Sequence, residues 1–135
     1  MKTFANRVLL VLVVALCVVA AQAQSSVMLK GTIPVNFVVG DRSLPAGEYT
    51  IRAFAHEIEG WYDQNGRALF LMRTLPMGKE ADASTYKLVF HRYGDTYFLR
   101  EVWSGGISHE VNGGPKEQRL AKSQKREVVA VLMTR

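Results

Sequence analysis

The chain is poor in the residues and patterns on which small exported folds and cofactor enzymes depend. It has one cysteine, Cys17, in 135 residues, so the disulfide framework that often stabilises small secreted domains is excluded. No G-x-x-x-x-G-K-S/T string and no strand-to-helix G-x-G-x-x-G is present. Without such a cradle of backbone N–H groups for phosphate, no cofactor is expected. The H-E-x-x-H arrangement is also missing. His56-Glu57 and His109-Glu110 begin it, but Gly60 and Gly113 stand where a second imidazole must converge on the ion. No serine sits in a G-x-S-x-G elbow, and Ser104-Gly105-Gly106 reads as a turn. Glu57, Glu59, Asp63, Glu101 and Glu110 are available for a pair of catalytic carboxylates, but no spacing singles out two of them. Catalytic, cofactor-binding and metal-ligating residues are therefore assigned to none of these positions.

The most ordered signal lies at the start. Lys2 and Arg7 supply positive charge, Val8 to Ala20 is an unbroken apolar run, and Ala21-Gln22-Ala23 is an A-x-A exit. That succession is the pattern of a cleaved secretory peptide, and the run is shorter than the roughly 20 residues of a spanning helix. Residues 1–23 are expected to be removed, with export to the periplasm or the extracellular space. The mature chain is then expected to hold no transmembrane segment. Cys17 lies inside the apolar run after Leu16, which does not fit a lipid-attachment site. Its loss with the peptide leaves no thiol.

Residues 24–135 suit one domain, roughly 110 residues long. The formal charge of +5 falls to +3 once Lys2 and Arg7 are gone, with 15 basic residues against 12 acidic. Most of that excess sits in residues 115–135, where Lys116, Arg119, Lys122, Lys125, Arg126 and Arg135 face only Glu117 and Glu127.

Strand signals dominate the mature chain: alternating or β-branched runs are cut by turn dipeptides at short intervals. The first run, Val27 to Val39, is interrupted by Pro34, which cannot donate a ladder hydrogen bond. Pro45-Ala46-Gly47 makes a return before Tyr49, Ile51, Ala53 and Ala55, which alternate along a second strand. Asn65-Gly66 suits a two-residue hairpin loop, which predicts Trp61 opposite Phe70 and Tyr62 opposite Leu69. Residues 74–84 read as a loop. A further hairpin from Tyr86 to Trp103 turns at Gly94-Asp95, predicting Phe90 opposite Leu99 and Tyr86 opposite Trp103. Tyr86, Leu88, Phe90, Leu99 and Trp103 form its expected core face, while Lys87, Val89, His91, Phe98, Arg100 and Val102 form a face partly open to water. After a short strand from Ile107 to Val111, Pro115 introduces a helix over about 116–127. Residues 128–133 then read as a buried final strand. The expected fold is all-β: a small antiparallel sandwich or partly closed barrel of about seven or eight strands with one late helix.

On that helix Arg119, Lys122, Lys125 and Arg126 fall within about a third of the circumference. Like charges one turn apart repel, so these four residues are the candidate partner-binding surface, suited to an anionic envelope component or a protein. Nucleic acid is not an expected partner, because export and a mild net charge oppose it. Arg92, Tyr93, Tyr97 and Phe98 around the Gly94-Asp95 turn are a second candidate, an aromatic rim for a sugar ring or a peptide.

Two strings, VVGDRSLPAGEYT within residues 37–50 and KLVFHRYGDTYFL at 87–99, resemble recurring segments of short, signal-bearing, uncharacterised bacterial secreted proteins. Each is a strand-turn-strand unit. The resemblance implies export and a β fold, and it brings no function or site residue with it. The leading expectation is an exported, non-enzymatic β domain that binds a partner or associates with the envelope. A small apolar-ligand carrier with a barrel pocket is the alternative, and a hydrolase or metal-dependent enzyme is the third.

Overall fold

A computed structural model describes residues 26–55, 57–80 and 82–135. The expected export peptide and His56 lie outside the described residues. The described residues form an all-β sandwich with one short helix, and among them the sheets do not close into a barrel.

Strands β1 (Ser26–Ile33), β4 (Gly47–Ala55), β5 (Ile58–Asp63) and β6 (Ala68–Arg73) make the first sheet, in the order β1-β4-β5-β6. The second sheet runs β11 (Arg126–Leu132), β8 (Tyr86–Tyr93), β9 (Thr96–Ser104), β10 (Ile107–Glu110), β7 (Leu75–Lys79). The small strands β2 (Phe37–Val39) and β3 (Arg42–Leu44) attach to it, β2 lying parallel to β9. Eleven strands occur among the described residues, more than the seven or eight expected. Part of the excess has plain causes. Pro34 splits the first run into β1 and β2, and the expected loop at 74–84 contains β7. Pro76 is tolerated there because β7 is an edge strand.

The core lies between the sheets. Leu29, Ile33, Ile51 and Trp61 from the first sheet meet Leu88, Phe90, Leu99 and Val102 from the second, and each large apolar side chain buried in this way contributes about 1.5–3 kcal/mol. Phe37 sits at the centre, edge-on to Tyr49 at 5.4 Å and to Phe90 at 5.6 Å, the geometry favoured by ring quadrupoles.

Both hairpins differ from their expected registers by one residue. In the first, Asp63 accepts hydrogen bonds at Oδ1 from the backbone N–H groups of Asn65 and Arg67, both at 2.9 Å. These bonds stabilise a loop one residue longer, closed by Gly66 at φ +76°. Trp61 still opposes Phe70, their rings stacked at 5.7 Å, but Tyr62 now opposes Ala68. In the second, Phe90 opposes Leu99 as expected, and then a bulge at Arg100 shifts the register so that Leu88 faces Val102 and Tyr86 faces Ser104. A bulge turns over every side chain beyond it. Val102 therefore enters the core, and Trp103 goes to the outer face beneath Lys87, whose Nζ lies 4.9 Å from its ring.

Helix α1 covers Pro115–Ala121 only, shorter than the expected 116–127. The open edge of β8 accounts for the difference. It pairs with residues 126–132, beginning with Arg126 opposite Tyr93, and the β-branched Val128, Val129 and Val131 suit a strand.

Candidate functional site

The expected basic surface begins with how α1 is fixed to the sheet. Leu120 packs on Val38, Tyr93 and Phe98, on the side of the second sheet away from the main core. Beside it Glu117 is buried and pointed at the strands. Its Oε2 accepts from Arg100 Nη1 at 2.8 Å, and its Oε1 accepts from the Tyr93 hydroxyl at 3.2 Å. His91 Nδ1 lies 3.4 Å from that same oxygen without forming an aligned hydrogen bond. Arg100 reaches this position because it is the bulged residue. It also donates from Nε to the Val111 carbonyl at 3.0 Å and approaches Glu110 at 3.5 Å.

Burial lowers the His91 pKa from its ordinary value, and the charges of Arg100 and Arg126 lower it further, against the pull of Glu117. Burial and Glu117 raise the Tyr93 pKa. Both neighbours of Glu117 are thus held in their neutral forms, leaving Arg100 as its counter-charge.

The other tail carboxylate, Glu127, is paired with Arg92 of β8. Both acidic residues of the tail are therefore engaged by arginines from the sheet. Lys116, Arg119, Lys122, Lys125 and Arg126 are exposed, and none forms an ion pair among the described residues. Arg119 lies in the last turn of α1, Lys122 caps it, Lys125 precedes β11, and Arg126 opens β11. The four candidate residues thus span a helix end, a turn and a strand start, and do not form a stripe on one helix.

The final strand departs further from its expected burial. β11 is an edge strand whose outer face shows Val128, Ala130 and Leu132 to solvent, with Val128 63% and Leu132 83% exposed. By the two-residue period of a strand, Arg126 stands on that same face. The surface is therefore cationic at one end and apolar at the next three positions of that face, Val128, Ala130 and Leu132. Sequence reasoning missed this because an apolar β-branched run reads alike in a buried strand and in an uncovered edge.

The expected aromatic rim divides. Tyr93 and Phe98 are buried beneath Leu120. Arg92 and Tyr97 pair on the opposite face, with the guanidinium 5.8 Å from the ring centre. Tyr97 borders an open groove of about 370 Å³ with Asn36, Ser43, Leu44, Pro45 and Asp95.

A second buried carboxylate lies between the sheets. Glu59 shares the inward face of β5 with Trp61 and is 2% exposed. Its Oε1 is 3.5 Å from Thr74 Oγ1 and 3.8 Å from His109 Nδ1, and Oε2 has no hydrogen-bond partner among the described residues. Burial pushes its pKa up to about 7, with the Thr74 hydroxyl opposing, while burial lowers that of His109. Both directions favour the neutral forms, a protonated acid beside a neutral imidazole. The signal was present in the sequence, since Glu59 falls two residues before Trp61 on one strand. Among the described residues no three His, Cys, Asp or Glu side chains converge as metal ligands do, and His91 and His109 face different carboxylates.

No protein-family model, no curated protein and no solved structure matches the chain. The roles of these residues rest on their chemistry alone.

Proposed function

We propose that the protein is an exported, non-enzymatic β domain that docks on the anionic lipid surface of the cell envelope. Arg119, Lys122, Lys125 and Arg126 supply the electrostatic attraction, and Val128 and Leu132 supply the apolar contact. The observation that supports this reading is the union of the two features along one stretch of chain: cations that form no ion pair among the described residues lead into exposed apolar side chains. A lipid interface meets both needs, because headgroups attract cations and the acyl boundary accepts apolar side chains. Each cation near such a surface contributes about 1 kcal/mol. A soluble polyanion would satisfy the charges and leave Val128 and Leu132 in water.

The carrier alternative is less favoured because Phe37, Trp61 and Phe90 fill the space between the sheets where a ligand would be held. The enzymatic alternative is less favoured because Glu59 and Glu117 are closed off from solvent by the fold. Co-sedimentation of the purified protein with vesicles tests the proposal. Binding to phosphatidylglycerol vesicles with little binding to phosphatidylcholine is the expected result, and equal recovery with both would sink the lipid reading.

A further inference from the structure

The outer face of the first sheet, remote in sequence from the basic tail, carries a different kind of surface. Gly60 lies at its centre, opposite Arg52 of β4 and Leu71 of β6. A Cβ on Gly60 would clash with Phe54 Cε2 and stand 3.2 Å from Tyr62 Cε2 and 3.3 Å from Leu71 Cδ2. Three side chains thus lean into the space that the missing Cβ leaves, and the Phe54 ring lies over the glycine backbone. Phe54 is nevertheless 42% exposed and Leu71 66%. This is an aromatic surface held against the sheet and still open to solvent.

Next to it runs a groove of about 330 Å³ lined by Thr50, Arg52, Phe54, Tyr62, Asp63 and Gln64. That volume is at the lower end of the roughly 300–1,000 Å³ of small-ligand clefts. The Arg52 guanidinium lies 5.4 Å from the Tyr62 ring centre, so it is positioned over the groove wall. Its positive charge is matched by the carboxylate of Asp63, leaving the groove without net charge. Its polar groups mix donors with acceptors: the guanidinium donates, the carboxylate accepts, and the Thr50 hydroxyl and Gln64 amide do both.

We propose that this face binds a neutral, hydroxyl-rich glycan of flat, β-1,4-linked hexoses. A pyranose ring has an apolar face of C–H groups, which fits against Phe54. Its rim of hydroxyls both donates and accepts, which fits the groove's mixed lining. Charge balance argues against an acidic sugar, and the exposed ring surface suits an extended ribbon better than a coiled chain. The inference is independent of lipid docking, which uses another sheet.

Titration of the purified protein with cellohexaose, followed by isothermal calorimetry and amide chemical shifts, tests it. Saturable binding is expected, with shifts in Phe54, Gly60 and Tyr62. Phe54→Ala and Phe54→Leu should each weaken it about tenfold, equivalent to about 1.4 kcal/mol. Gly60→Ala should weaken it comparably, because its methyl must displace the Phe54 ring without removing it. Phe54 is exposed, so its variants should keep the wild-type amide dispersion and separate lost binding from lost folding. The proposal is overturned if cellohexaose causes no shift at millimolar concentration, if both Phe54 variants bind like wild type, or if maltohexaose or a proline-rich peptide binds the groove more tightly. Vesicle and glycan assays use different probes, so either proposal can fail alone.

Discussion

Glu59→Gln should stabilise the protein at about pH 8 and change little at about pH 4. In the fold the carboxyl is buried between the sheets with a pKa of about 7, against an ordinary value of 4.5. Its neutral form is therefore the one that folding favours. Below 4.5 the group is protonated in both states and costs nothing. As pH rises through 4.5 the unfolded chain ionises first, and stability falls until the folded-state group also ionises near 7, after which it is level. The interval between the two pKa values corresponds to about 3 kcal/mol at 1.36 kcal/mol per pH unit. Glutamine keeps a neutral oxygen beside Thr74 Oγ1 and cannot ionise, so it escapes this loss. His91 and His109 act in the opposite sense. Their folded-state pKa values are lowered, so their contribution is lost as pH falls below the imidazole range. They are present in both proteins, and comparison of variant with wild type largely removes them. Urea unfolding at about pH 4, 6 and 8 reads the difference. With m near 1–3 kcal/mol/M, the variant's midpoint should exceed that of wild type by about 1 M or more at pH 8. A gap that stays constant from pH 4 to 8 would refute the buried-acid reasoning.

Other perturbations probe the remaining elements. Glu117→Ala should cost about 2 kcal/mol or more in urea unfolding, because it removes the nearer carboxylate of the partly buried Arg100 and leaves it only Glu110 at 3.5 Å. Leu88→Ala, deep between the sheets, should cost about 2–5 kcal/mol by the same assay, as for other large-to-small core changes. Trp103→Ala should cost less than Leu88→Ala despite removing the larger side chain, since the Arg100 bulge places Trp103 outside the core; the reverse order would count against the bulge. Gly66→Ala, at φ +76°, should lower stability by about 1 kcal/mol, measured by thermal unfolding.

Much of the architecture was legible in single residues. Pro34 marked the break between β1 and β2, Asn65-Gly66 and Gly94-Asp95 marked the hairpin turns, and Pro115 marked the start of the helix. What escaped was decided by long-range partners. The Arg100 bulge exchanges Trp103 for Val102 in the core, and its reward is an ion pair with Glu117, 17 residues away. No local period announces such a pair. The helix end was misplaced for a similar reason, because residues 122–127 have helical propensity but the free edge of β8 recruits the chain at Arg126. The candidate basic residues were legible as charge, and their release from internal pairing was not. It depends on Arg92 and Arg100 capturing Glu127 and Glu117.

Lipid docking is tested most directly by reversing Arg119, Lys122, Lys125 and Arg126 to Glu and measuring partition onto phosphatidylglycerol vesicles. All four are exposed and form no ion pair among the described residues, so wild-type urea unfolding should be retained. At about 1 kcal/mol for each lost cation, partition should fall by about a thousandfold or more, and added salt should weaken the wild-type binding. A folded quadruple variant that partitions like wild type would contradict the account.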